Sequence, residues 1–143
     1  RQADAGEARL GDAKLVLAKP LSFMNDSGGP AKALATFYKV DPAHIIALHD
    51  ELDIDAGAIR VKLGGGDNGH NGLKSMRSSF GTGDFYRVRL GIGRPLGRQD
   101  PADFVLKKFS AAEHADLLVQ RGADAVEALV TTGLAATQNV FNS

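Results

Sequence analysis

Three short polar clusters and two cationic strand patterns hold most of the residues of this chain that could do chemistry. Met24-Asn25, His49-Asp50-Glu51-Leu52-Asp53 and His70-Asn71 each sit where a strand is predicted to end. In α/β sheets ligands bind beyond the carboxyl ends of strands, so this placement points to a polar cleft. His49, Asp50 and Asp53 offer one imidazole and two carboxylates, acceptable metal donors, but at a spacing that follows no recognised ligand pattern. Asp50 can equally orient and charge-stabilise a histidine, as carboxylates do in hydrolase triads. Spacing alone leaves both readings open. Taken singly, Asn71 reads as the N-cap of a following helix and Asn25 as a turn residue. The loop Gly64-Gly-Gly-Asp-Asn-Gly-His70 lacks the Gly-Lys-Ser/Thr ending of a Walker motif and reads as a flexible connection.

The cationic patterns lie on either side of that loop. Ala58–Leu63 alternates Ile59, Val61 and Leu63 with Arg60 and Lys62; Phe85–Leu90 alternates Tyr86, Val88 and Leu90 with Arg87 and Arg89. Strand side chains alternate between faces, so each strand is expected to present two cations on its polar side. The charge of the whole chain is zero, but it is segregated. Residues 1–59 carry 6 Lys/Arg against 9 Asp/Glu, residues 60–98 carry 8 against 2, and residues 99–143 carry 3 against 6. A basic middle between acidic flanks suits one localised anionic partner.

The elements that must position these residues follow from pattern. Lys14–Ala18 reads as a buried strand, Gly29-Pro30 opens a helix carrying Ala31, Leu34, Phe37 and Tyr38, and Ile45–Leu48 reads as a central strand covered on both faces. A helix is predicted from Asn71 to Ser79. A capping-box pattern at Ser110–Glu113 opens a C-terminal helical region with Gly122 as its kink or split and Gly133 as its stop. The first eight residues show no core pattern. Strands alternating with helices give an α/β class, in one domain over residues 1–143. The 143 residues include no cysteine, which excludes disulfide scaffolds, thiolate metal sites and thiol nucleophiles. No run approaches the ~18 apolar residues of a membrane span.

Together these segments resemble bacterial-type peptidyl-tRNA hydrolase. The residues that carry the resemblance are Lys19-Pro-Leu-Ser-Phe-Met-Asn25-Asp-Ser-Gly28, His49-Asp-Glu-Leu-Asp53, and Lys62-Leu-Gly-Gly-Gly-Asp-Asn-Gly-His-Asn-Gly-Leu-Lys74. Arg87-Val-Arg-Leu-Gly-Ile-Gly-Arg-Pro95 and Ala136-Thr-Gln-Asn-Val-Phe-Asn142 continue it in the family's order. The resemblance implies a single-domain, three-layer α/β/α fold with a mixed, mostly parallel twisted sheet. It implies hydrolysis of the ester between a peptide and tRNA, recycling tRNA from aborted translation. The partner is then the acceptor stem and 3′ end of peptidyl-tRNA, met by a cytoplasmic monomer without metal or cofactor.

Residue by residue, the resemblance makes Asp50 the stabiliser of the catalytic histidine and Asn71 the group that orients water. Phe23, Met24, Asn25, Asn71 and His70 would contact the acyl and ribose end, and Arg60 and Arg89 would grip a tRNA phosphate. The family's general base is a histidine on an N-terminal segment, and His44, His49, His70 and His114 match other positions. The expectation is therefore that these residues by themselves do not turn over. An alternative from another class is a non-catalytic RNA-binding relative of the same fold; a metal-dependent hydrolase using His49, Asp50 and Asp53 is a third.

Overall fold

The computed structural model describes residues 3–20, 27–66, 70–93 and 112–142. The chain divides into two compact units, Arg1–Ile45 with Leu63–Tyr86, and Ile46–Lys62 with Arg87–Ser143.

The first unit opens on a hairpin of β1 (Ala3–Leu10) and β2 (Ala13–Pro20), antiparallel from Leu10↔Ala13 to Ala3↔Pro20. Gly11, at φ 60°, supplies the first position of the two-residue turn at no steric cost. β1 was not expected. Its Ala-Asp-Ala-Gly-Glu-Ala run lacks the branched and aromatic residues that mark strands. It is held by its ladder to β2, with Lys14 Nζ 3.2 Å from Glu7 Oε1 adding a surface ion pair.

Two helices complete this unit, α1 (Gly28–Tyr38) and α2 (Asn71–Phe80). They approach so closely at Gly28 that its N–H donates to Ser75 Oγ at 2.8 Å, and a Cβ there would overlap the Ser75 carbonyl. Glycine is required by that contact. α1 ends on Lys39 in the left-handed region, at φ 57°.

The second unit is built on β3 (Ile46–Glu51), β4 (Ile59–Leu63) and β5 (Tyr86–Gly91), in the order β3-β5-β4. Tyr86 N–H donates to Ile45 O and Ile92 N–H to Glu51 O, so β5 runs parallel to β3. Gly91 N–H donates to Ala58 O and Gly64 N–H to Phe85 O, so β5 runs antiparallel to β4. The sheet is mixed, as expected, and the class is α/β. β3, expected at the centre, lies at the edge of the described sheet, and Leu48 is 45% exposed.

One sheet face carries Ile59, Val61, Val88 and Leu90, all buried. Helix α3 (Ala112–Thr132) covers it with Leu118, Ala125 and Leu129. Gly122 does not split this helix. A Cβ there would stand 2.9 Å from a Leu90 methyl and 3.1 Å from a Leu48 methyl, so the glycine permits close helix–sheet packing. Gly133, at φ 89°, does end α3, and the chain turns at once into α4 (Leu134–Phe141). Ser110, the expected cap, lies outside the described residues.

Candidate functional site

The antiparallel register puts Arg60 across from Arg89 and Lys62 across from Arg87, all on the face opposite the buried Val61 and Val88. Alternation adds His49 and Glu51 from β3, which its parallel pairing sets on the same side. Four cations therefore share one sheet face with one carboxylate. Like charges directly opposite each other are unfavourable. That cost is visible in the ammonium of Lys62, lowered first by burial and then by Arg89 and Arg87, with Glu51 opposing. The Arg89 guanidinium is lowered by burial too, then raised by Glu51 and lowered by Arg60. Arg89 remains a cation at neutral pH.

The four are not equivalent. Arg87 is wholly buried, contrary to its expected place on an open polar face. It sets the charge of the face from beneath. Arg60, Lys62 and Arg89 are half-buried and reach solvent. Arg60 Nη1 donates to its neighbour's carbonyl, Ile59 O, at 3.1 Å, and Arg89 Nε has no protein acceptor among the described residues. Lys62 is the residue whose share in this face the sequence understated, although its alternation with Val61 and Leu63 was visible.

At the end of β3, His49 and Glu51 are buried and Asp50 is half-buried. His49 Nδ1 lies 2.9 Å from Asp50 O, a contact to backbone that fixes the ring. His49, Asp50 and Asp53 do not assemble into a group able to hold a metal ion, and none forms elsewhere among the described residues. The metal reading has no geometric basis there.

In the first unit the N-cap of α2 is His70, whose Nδ1 accepts from Leu73 N–H at 3.3 Å. Asn71 was the expected cap, but it is the first helical residue, exposed, and its amide is not spent on capping. It lines an open depression of about 390 Å³ with Lys74, Ser75, Ser78 and Ser79. Phe23, Met24 and Asn25 lie outside the described residues.

The family described as peptidyl-tRNA hydrolase matches the chain over residues 1–143. A peptidyl-tRNA hydrolase of Frankia alni is 58% identical over 144 residues, covering 99% of this chain and 73% of that protein. One from Streptomyces coelicolor is 57% identical over 149 residues, covering 99% and 74%. The crystal structure of peptidyl-tRNA hydrolase from Acinetobacter baumannii superposes with a TM-score of 0.86 at 30% identity, over 99% of this chain and 73% of that one.

Proposed function

We propose a division of labour for this chain, which belongs to the peptidyl-tRNA hydrolase family. Its reaction is hydrolysis of the ester that joins a peptide to tRNA, which frees the tRNA for reuse. The observation that carries the substrate assignment is the cationic sheet face. Arg60 stands opposite Arg89 with Lys62 beside them, and all three reach solvent. A phosphate between these groups relieves their mutual repulsion and accepts charge-assisted hydrogen bonds. Arg60 and Arg89 grip a backbone phosphate of the acceptor stem, and Lys62 adds a third positive charge. Such contacts read shape and charge, which suits an enzyme that must accept tRNAs of differing sequence.

The acyl end is handled by other residues. Asn71, relieved of capping by His70, orients the attacking water. His70, Phe23, Met24 and Asn25 contact the peptide and the terminal ribose. Asp50 stabilises the imidazolium formed when a histidine takes the water's proton. The bond from water oxygen to the acyl carbon forms, and the bond from that carbon to the ribose 3′ oxygen breaks. The products are a free carboxylate and a tRNA 3′ hydroxyl. The protein acts as a single-domain cytoplasmic monomer; no helix of the described residues is long and apolar enough to cross a membrane.

The test is the salt dependence of KM for a peptidyl-tRNA. The doubly substituted Arg60→Ala, Arg89→Ala protein should lose roughly one phosphate's worth of slope in log KM against log salt. An unchanged slope would remove both arginines from the phosphate site.

A further inference from the structure

We propose that Asn142, assisted by Gln138, is a positioning residue for substrate: it holds the outer edge of β4 and so sets Arg60 and Lys62 in place. This rests on the reading of those two cations as phosphate ligands. β4 bonds to β5 through its even-numbered residues, which leaves the N–H and carbonyl of Val61 pointing outward along the other edge. Both are taken by side chains. Val61 N–H donates to Asn142 Oδ1 at 2.8 Å, and Val61 O accepts from Asn142 Nδ2 at 3.1 Å and from Gln138 Nε2 at 3.1 Å.

A primary amide carries a donor and an acceptor in one plane, as a peptide group does, so Asn142 stands where a neighbouring strand would pair. Its own helix makes no demand on that side chain. The end of α4 is closed by the backbone, with Asn142 N–H donating to Gln138 O at 2.9 Å. The clamped residue is the one between Arg60 and Lys62, and its side chain is fully buried. Val61 is thus fixed by the core on one side and by the amide along its edge. The two flanking cations leave the opposite face from a backbone with no freedom to shift.

The experiment compares steady-state kinetics on peptidyl-tRNA with kinetics on the same peptide esterified to adenosine alone. Asn142→Ala should raise KM for peptidyl-tRNA about 3- to 10-fold, the worth of one weakened phosphate contact, with kcat unchanged. KM for the adenosine ester should not move. In an Arg60→Ala, Lys62→Ala background the same substitution should add nothing. Gln138→Ala, which removes one of two donors to Val61 O, should give a smaller shift in the same direction and serves if Asn142→Ala does not fold. Equal KM losses on both substrates, or a full effect in the doubly substituted background, would make Asn142 merely structural and overturn the proposal. If Arg60→Ala, Lys62→Ala raises KM and neither Asn142→Ala nor Gln138→Ala does, the positioning role alone is wrong. If the doubly substituted protein keeps its KM, the phosphate reading fails and the positioning role falls with it.

Discussion

Replacing Arg89 by alanine isolates the phosphate contact from the fold. Arg89 is a half-buried cation opposite Arg60, with burial and Arg60 both lowering its guanidinium and only Glu51 supporting it. Its Nε has no acceptor among the described residues, so removal strands no protein partner of that atom and relieves one like-charge pair. Folding stability should therefore change little. With substrate bound, the lost interaction is a charge-assisted hydrogen bond to phosphate, worth about 1.5–3 kcal/mol. At about 1.4 kcal/mol per decade that is roughly a 10- to 150-fold weaker affinity for peptidyl-tRNA. Filter binding at several salt concentrations reads the affinity and should show the slope reduced by roughly one phosphate. Thermal unfolding read alongside it should place the midpoint within a few degrees of the parent. Tight binding with an unchanged slope would refute the phosphate assignment, and a midpoint lowered by ten degrees would make Arg89 a structural residue instead.

Asp50→Asn should lower kcat on peptidyl-tRNA and leave KM nearly as it was, the pattern of a group that acts on the transition state; a raised KM with kcat intact would place Asp50 in binding. Lys62→Met should weaken tRNA binding yet raise the unfolding midpoint at neutral pH. The folded ammonium lies below 10.5, so the unfolded chain binds the proton more tightly; the penalty is complete below the folded value and disappears as pH climbs towards 10.5. The gain from Lys62→Met should shrink over that alkaline window, and a gain independent of pH would point to packing. Gly28→Ala should cost about 1–3 kcal/mol by driving α1 off the Ser75 carbonyl, measurable as a shift in the urea midpoint; an unshifted midpoint would mean that α1 and α2 separate freely.

Period-two alternation made β4 and β5 legible, and with them the placing of Arg60, Lys62 and Arg89 on one face. What alternation could not reveal was the order of strands. β3 was expected at the centre, yet β5 is the middle strand of the described sheet; and Arg87, which obeys the same pattern as Arg89, is buried while Arg89 is not. Similar blindness hid β1, whose small and charged residues are held by a partner strand and a Gly-Asp turn. At Asn71 the capping preference pointed to the wrong neighbour, since the accepting ring nitrogen of His70 fills the role. Gly122 looked like a helix breaker because the sequence does not show what lies against it; Leu48 and Leu90 do. The clamp on Val61 joins residues 81 apart in sequence and leaves no local trace. Asp50 and Asn71, by contrast, were visible as polar residues at expected strand ends, and the family's motifs added their roles.

The most direct test of the account is the fate of the ester itself. The protein, joined to the segment that carries the family's general-base histidine, is incubated with an N-blocked aminoacyl-tRNA, and both free acyl carboxylate and deacylated tRNA are measured under single-turnover conditions, in parallel with the same acyl group on adenosine alone. The account predicts stoichiometric release of both products from the tRNA substrate, with kcat/KM reduced when the tRNA body and its phosphates are stripped away. Retention of tRNA with its ester uncut would contradict it and identify a protein that binds RNA without hydrolysing it.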